Sequence, residues 1–544
     1  MSLLRPLIVC LVLSPVSLYA QAPTAAPVSR TCTIQRDLPT AGEKALAKED
    51  AEAALAFYRD AVTKTPENEE ARFGLVRALI SKDQTTEAAR EAADFVTKLP
   101  QSSLALVAAG EAAFRNADFD TSSRDALAAT KMNSCDARAM ELLADLFDVT
   151  AHFATSAHLL NTAHRIRPND ELLLRDWIDS LPRKQRTEEL KKYLEGAPSL
   201  SPRLHEAYVS EEDHLKDRKP GECSVLTKSD TTKIPFAAIH SDASHVVAFG
   251  LDVSINGKKR RMQIDTGASG IVLTPGAAKR LGLTPEMKLQ TGGVGDDGDI
   301  ESYLSHVQNI QIGEVQFSNC MVEVLTKDKV DDGIDGLIGL DVFSRWLATL
   351  DYPNRQLVLA PLPPRPGEVS RSYTHPADAA TQLADEDDIP RDAILPAGMT
   401  DWMRIIRIGH DILLPSSLNK GTLRYMVMDT GAADTTLSLS FAKATGKAHR
   451  DTNVEFRGLS GKVKEVYRLD DAALQFGNTL VPPESLYAFD FTNISHDTGA
   501  EVSGLVGLPT LSRLTISVDY RDNLMLMKYD PHHDPANYVG LVPR

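Results

Sequence analysis

Two short stretches hold residues that could do chemistry together. Met262-Gln263-Ile264-Asp265-Thr266-Gly267-Ala268-Ser269 and Met426-Val427-Met428-Asp429-Thr430-Gly431-Ala432-Ala433 each end an apolar run in aspartate and follow it with Thr-Gly. Two carboxylates held close together cannot both ionise, so they share a proton. One can then activate a water while the other protonates a carbonyl oxygen, hydrolysing a peptide bond without metal or covalent intermediate. Taken alone, an aspartate before Thr-Gly equally reads as a turn residue bonding its own backbone.

The register around the triplets carries more weight than the triplets themselves. Seventeen residues after each aspartate stands a glycine, Gly282 and Gly446; thirty-eight after, Tyr303 and Tyr467; forty-eight after, Gly313 and Gly477. Then come Gly336-Leu337-Ile338-Gly339-Leu340 and Gly504-Leu505-Val506-Gly507-Leu508, each followed by Ser-Arg (Ser344-Arg345, Ser512-Arg513) and Asp-Tyr (Asp351-Tyr352, Asp519-Tyr520). So many shared offsets indicate a duplicated unit. Its β-branched residues, glycines and short alternations predict many short strands. A proline-rich run, Pro361 to Gly367, and the acidic Asp385 to Asp388 separate the copies as an extended connector.

A hydrophobic strand ending in Asp-Thr-Gly-Ala, a glycine-rich hairpin and a late apolar-apolar-Gly element resemble a retropepsin lobe, or half of a pepsin. The resemblance implies an aspartic endopeptidase with Asp265 and Asp429 as catalytic pair and needing no cofactor or metal. It implies that Thr266, Gly267, Thr430 and Gly431 support the active loops, the threonines by hydrogen bonds across the lobe interface. It also implies a flap that closes over substrate; its candidates are Thr291 to Asp299, with Gly292, Gly293 and Gly295, and Arg457 to Lys462, with Gly458 and Gly461. Tyr303 and Tyr467, just past these tips, are candidates to brace it. Asp434 follows Ala433 as in a retroviral variant of the motif, and stands either as a substrate-backbone ligand or as a solvated loop acid.

The elements before this region are of another kind. Residues 40–195 are rich in Ala, Leu, Glu, Lys and Arg, a composition that favours helix. Pro66, Pro100, Ser134 and Pro168 are evenly spaced. Twelve before each is a small residue, Ala54, Ala88, Ser122 and Ser156, where a neighbouring helix must approach closely. Gly42, Gly110 and Ala144 hold the small position of the first helix, and Val76 departs from it. A two-helix unit of this pattern, repeating every ~34 residues, resembles the tetratricopeptide repeat (TPR). Four units are expected, then a capping helix near Arg186 to Leu194. Such solenoids offer a concave surface to peptides or proteins, so a protein partner is expected here. An Ala-rich bundle with regular prolines is the plainer alternative.

The fold class expected is multidomain: an N-terminal all-α TPR-like solenoid followed by an all-β bilobal acid-protease-like fold. The expected boundaries are a signal peptide at 1–20, repeats at 40–195, a linker at 196–229, lobes at 230–362 and 396–530 with a linker at 363–395, and a tail at 531–544. Arg5, the apolar run Leu7 to Leu13 and the stretch Pro15 to Ala20 read as a signal for export to a periplasmic or secreted location, with an uncleaved anchor as the alternative. A net charge of −16 argues against nucleic-acid partners, and no later segment is apolar enough for a membrane span. Cys32, Cys135, Cys223 and Cys320 allow three disulfide pairings among which the sequence does not choose, or buried thiols. The expected partner of the second half is a peptide or protein substrate. Its alternatives are a peptide-binding scaffold that does not cut, a vestigial peptidase on an assembly platform, and lobes that pair with their twins in a homodimer.

Overall fold

A computed structural model describes residues 32–196, 198–217, 223–226, 231–240, 246–291, 300–327, 333–365, 390–451, 454, 457–458, 461–463 and 465–533. The first half is helical: α1 (Ala41–Ala47), α2 (Ala51–Lys64), α3 (Glu69–Ser81), α4 (Thr85–Lys98), α5 (Ser103–Arg115), α6 (Phe119–Met132), α7 (Ala137–Asp148), α8 (Phe153–Ile166), α9 (Glu171–Asp179), α10 (Arg183–Glu195) and α11 (Pro202–Asp217). The period of the repeat recurs in the caps. Asn68, Ser102, Asp136 and Asp170 start α3, α5, α7 and α9, each accepting the N–H three residues on. One such cap is worth about 1 kcal/mol. Ala54, Ala88, Ser122 and Ser156 are buried where helices cross. Val76 is buried too; Gly74 makes the room instead, since a Cβ there would overlap the Tyr58 ring. Inside the solenoid, Arg77 bonds Glu111 (2.5 Å) and Glu141 (2.8 Å), and Arg138 bonds Glu141 (3.0 Å) and Asp170.

The second half is two β lobes joined by one sheet. Thr232–Pro235, Gln356–Ala360 and Leu347–Asp351 of lobe 1 continue into Leu514–Asp519, Leu524–Tyr529 and Met403–Arg404 of lobe 2. The seam is antiparallel, with Ala348 opposite Val518 and Leu350 opposite Ile516, and Thr349 and Ser517 share a 2.8 Å hydroxyl bond across it. Both lobes bury side chains into one core, which contains Met262 and Met426, Ile338 and Val506, Tyr352 and Tyr520. Each pair holds equivalent positions in the two copies, so the repeat in sequence is a repeat in packing. Cys32 is bonded to Cys135 and Cys223 to Cys320, one of the three pairings the sequence left open.

The solenoid docks on lobe 2 through one turn per repeat. Asp83, Ala117 and Ala151, at the same place in successive repeats, adopt positive φ (56°, 55° and 60°) between the two helices of their repeats. The Asp83 carboxylate meets Arg115 (2.7 Å) and His496 of lobe 2 (2.8 Å). The Arg115 carbonyl accepts from Glu501 N–H (2.8 Å), and Phe119 packs edge-on against Tyr425 at 5.1 Å. The Val149 carbonyl accepts from Arg407 N–H (2.9 Å) and Asn523 Nδ2 (3.1 Å). Apolar side chains of both parts form one buried cluster.

Two expected linkers need correction. Residues 196–229 contain α11, which lies against the strand Met287–Thr291, and Ser224–Val225, a strand paired with Phe317 and Ser318. The helical composition of Pro202–Asp217 outweighs the turn-rich residues on either side. The ends of 363–395 are pinned: Arg365 bonds Asp522 (2.6 Å), Ile394 N–H bonds the same carboxylate (2.9 Å), and Thr155 of the solenoid bonds Asp392 (2.7 Å). Residues 1–20, 366–389 and 534–544 lie outside the described residues.

The Arg77–Glu141–Arg138 group is largely shielded from water, so removing one member strands buried charge. Glu141→Ala is expected to cost about 3 kcal/mol, read as a lowered urea midpoint of the far-ultraviolet helical signal. An unchanged midpoint would show that the network contributes nothing.

Candidate active site

Each motif aspartate stands at a strand end fixed from below. Asp265 follows Lys258–Ile264 and Asp429 follows Arg424–Met428. Gly336–Ile338 runs parallel to the first of these strands and antiparallel to Ile271–Leu273; Gly504–Val506 does the same between Arg424–Met428 and Thr436–Ser438. Asp265 N–H bonds Ile338 O and Asp429 N–H bonds Val506 O, each at 3.0 Å. A Cβ on Gly336 would strike the Val272 carbonyl, and one on Gly504 the Thr436 carbonyl. The repeated glycine is therefore a steric requirement of placing a third strand beneath the aspartate.

The two loops meet through their threonines. Thr266 Oγ1 donates to Met428 O (2.7 Å) and accepts from Thr430 N–H (3.0 Å); Thr430 Oγ1 donates to Ile264 O (2.9 Å) and accepts from Thr266 N–H (3.0 Å). Both threonines are buried, so these bonds act where water does not compete. Gly267 N–H bonds Asp265 Oδ1 at 2.9 Å, while Gly431 and Ala432 N–H bond Asp429 Oδ1 at 2.9 and 3.0 Å. The loops are so close that a Cβ on Gly431 would lie 2.5 Å from the Asp265 carboxyl carbon.

A Cβ on Gly267 would likewise lie 3.4 Å from Asp429 Oδ1, so the two carboxyls are brought side by side at the meeting of the loops and influence one another. Burial pushes the Asp265 carboxyl well above the usual range, and the Asp429 charge pushes it further. Burial also raises Asp429, against the Gly431 and Ala432 N–H bonds. Asp429 accepts two backbone N–H bonds and Asp265 one, so the two carboxyls are not equivalent. The titration nonetheless belongs to the pair.

The other candidates take varied places. Arg457–Gly458 and Gly461–Lys462 pair as a short hairpin, which puts Gly458 and Gly461 on its two arms. Gly292, Gly293 and Gly295 lie outside the described residues. Tyr303 and Tyr467 are half-buried against the shared core, the latter with Lys443 Nζ 5.1 Å from its ring centre. Asp434 is half-buried, and burial raises its carboxyl.

Several contacts were invisible to sequence reasoning. His410 Nε2 lies 3.1 Å from the Gly267 carbonyl across the interface, and Gln263 Nε2 lies 3.4 Å from the Gly431 carbonyl. Asp411, held by Thr498 Oγ1 at 2.9 Å, adds negative charge that raises Asp429. The lobes also brace their loops differently. Asp341 accepts from Ser269 Oγ (2.9 Å) and Gly270 N–H (3.0 Å), whereas Thr435 shares a 2.6 Å hydroxyl bond with Thr510. The only sequence signal for Asp341 is an acid five residues after Gly336 where the second copy has Pro509.

Comparison with known proteins agrees with this organisation. Residues 251–345 match the family described as gag-polyprotein putative aspartyl protease, and residues 45–119 match a tetratricopeptide repeat family. Protein DNA-DAMAGE INDUCIBLE 1 of Arabidopsis thaliana is 26% identical over 165 residues, which cover 29% of this chain and 37% of that protein. DNA damage-inducible protein 1 of Neurospora crassa is 28% identical over 111 residues, covering 20% and 24%. The chain thus spans 37% or less of the length of either relative. Among solved structures, an aspartic proteinase from Irpex lacteus matches with TM-score 0.34 and 14% identity, over 55% of this chain and 98% of that one. A retropepsin-like aspartic protease from Rickettsia conorii matches with TM-score 0.18 and 23% identity, over 25% and 94%. The chain joins N-terminal helical repeats of the tetratricopeptide type to a C-terminal aspartyl-protease-like region.

Proposed function

We propose that the chain is an aspartic endopeptidase whose two lobes supply one carboxylate each, Asp265 and Asp429, to a single intrachain site. The observation that carries this reading is the pair of carboxyls brought together on the Thr266–Thr430 contact. Asp429, as the ionised member, takes a proton from water while the water oxygen attacks the peptide carbonyl. Asp265 delivers its proton to the carbonyl oxygen, giving a neutral gem-diol. The proton gained by Asp429 then passes to the leaving nitrogen as the C–N bond breaks, and Asp265 recovers its own from the diol. Gly267, Gly431 and Ala432 N–H groups hold the carboxylates in place throughout. Asp434 and the Gly458/Gly461 hairpin are assigned to substrate contact and flap, and the solenoid to holding a protein substrate or partner. Export is part of the same reading: two disulfides suit an oxidising compartment, in keeping with the signal-like start.

Asp265→Asn and Asp429→Asn should each abolish cleavage of an unbiased peptide library, by at least about 10³-fold. Activity surviving either change in a monomer would sink the shared site, and silence of folded wild type with peptide binding retained would favour the scaffold. Because both folded pKa values lie above the unfolded one, the pair is tolerated at low pH and opposes folding as pH rises through them. The rate should therefore fall at high pH as the shared proton is lost. Asp265→Asn should melt higher than wild type at neutral pH, an advantage that shrinks towards pH 4. Thr266→Val removes a donor and an acceptor from the lobe contact. It should lower kcat by about 10-fold or more with little change in KM, whereas a purely structural threonine would leave kcat intact.

A further inference from the structure

The solenoid holds a cavity of about 420 Å³, lined only by its own helices and the segment that precedes them. That volume lies in the ~300–1,000 Å³ range of ligand sites. One wall is a strap formed by residues 32–39. The Cys32–Cys135 disulfide anchors it at the α6–α7 turn, Gln35 N–H bonds Ile166 O (2.7 Å), and Asn169 Nδ2 bonds Arg36 O (3.0 Å). Thr40 then caps α1. The strap thus joins the last repeats to the first, and Gln35, Asp37, Leu38 and Pro39 line the cavity. Phe57 and Tyr58 of α2 and Phe73 of α3 supply an aromatic wall. The lining reaches the surface at Leu38 and Phe57, which are 83% and 37% exposed.

The charges around this cavity do not balance. Ion pairs join Arg77, Arg138 and Arg167 to Glu43, Glu70, Glu111, Glu141 and Asp170. Three cations therefore meet five carboxylates among the described residues, and Asp37 and Glu171 add two further acids to the wall. Arg36 of the strap is not among the lining residues. Excess negative charge is costly where water is scarce, so a cation entering the cavity relieves it. Arg138 supplies an independent sign. It is 4% exposed and lines the cavity, yet its Nε–H meets no acceptor among the described residues. A buried donor of this kind calls for an oxygen. A metal ion or a polyamine would satisfy the acids and leave the arginine unmet. A peptide brings both a carbonyl oxygen and a cationic side chain, and the aromatic wall suits the methylene stem of lysine or arginine.

Building on the assignment of the solenoid to holding a protein substrate or partner, we propose that this cavity takes a lysine or arginine side chain from an extended basic segment of that protein. The cationic head goes to the carboxylates of Glu43 and Glu70, and the stem lies against Phe57 and Tyr58. A neighbouring backbone carbonyl accepts from Arg138 Nε–H. The strap is part of the site, and the Cys32–Cys135 bond holds that wall in place.

The test uses the full chain carrying Asp265→Asn, so that peptides are bound without being cut and the result does not depend on the peptidase reading. The probes are short, terminally blocked peptides of one common sequence with lysine, arginine, norleucine or glutamate at the centre. Each carries a fluorophore for anisotropy and a photoreactive group for mapping. The lysine and arginine peptides are expected to bind about tenfold or more tighter than norleucine, and glutamate more weakly still. Phe57→Ala and Glu70→Gln alter surface-reaching positions and are first shown to melt as the parent does. Each should weaken the lysine peptide by about fivefold or more, and crosslinks should fall on the strap or α2. Equal binding of lysine and norleucine overturns the inference, as does a preference for glutamate, which would make the arginines the recognising groups. Affinity unchanged by both substitutions overturns it too. Crosslinks confined to another part of the solenoid remove this site and keep the partner reading, whereas failure of every probe to bind removes the site and leaves that reading unsupported.

Discussion

Everything in the β half depends on bringing two carboxylates together that repel one another. The lobes achieve this with four hydrogen bonds exchanged by Thr266 and Thr430, each hydroxyl giving to a carbonyl beneath the opposite aspartate and receiving from the opposite amide. A neutral polar contact suits the place. An ion pair would impose its own field on the aspartates, and an apolar contact would not fix the loops to within hydrogen-bond tolerance. The cost of holding the pair appears in the raised carboxyls, and the interlobe sheet and common core supply the rigidity that sustains it.

Duplication has left the scaffold symmetric and the surroundings not. The strand beneath each aspartate, its glycine and its backbone bond are the same in both lobes. One step outward, the two copies use different chemistry: Asp341 against Ser269 and Gly270 in one, Thr435 against Thr510 in the other. His410 and Gln263 hold the two glycine carbonyls with unlike side chains. These differences make the surroundings of the two aspartates unequal. Each carboxyl is tuned by burial and by its own N–H donors, and Asp429 also by the charge of Asp411.

The solenoid is not an arm on a flexible tether. Its row of turns meets lobe 2 by backbone hydrogen bonds, ion pairs and a continuous apolar cluster, and the ends of the interlobe connector are pinned between them. A repeat array presents the same turn once per repeat along a single edge, so the period that stacks the helices also builds a docking edge.

The sequence by itself determined a good deal. Local and periodic signals survive in any context: a small residue where helices cross, a cap in every repeat, a glycine where a third strand lies under an aspartate. These fixed the helical repeats, the duplicated lobes and the place of Asp265 and Asp429. What it could not determine are contacts between residues far apart in the chain and without a repeating partner. The bonds from His410 to Gly267 and from Gln263 to Gly431, the choice among three disulfide pairings, and the packing of Phe119 on Tyr425 all depend on how whole elements are set against each other. The helix at Pro202–Asp217 was hidden for a related reason, its boundaries being written in turn residues that look the same whether they flank a linker or a helix. Only tertiary structure decides such pairings, because their free energy comes from burying particular surfaces together and not from any pattern along the chain.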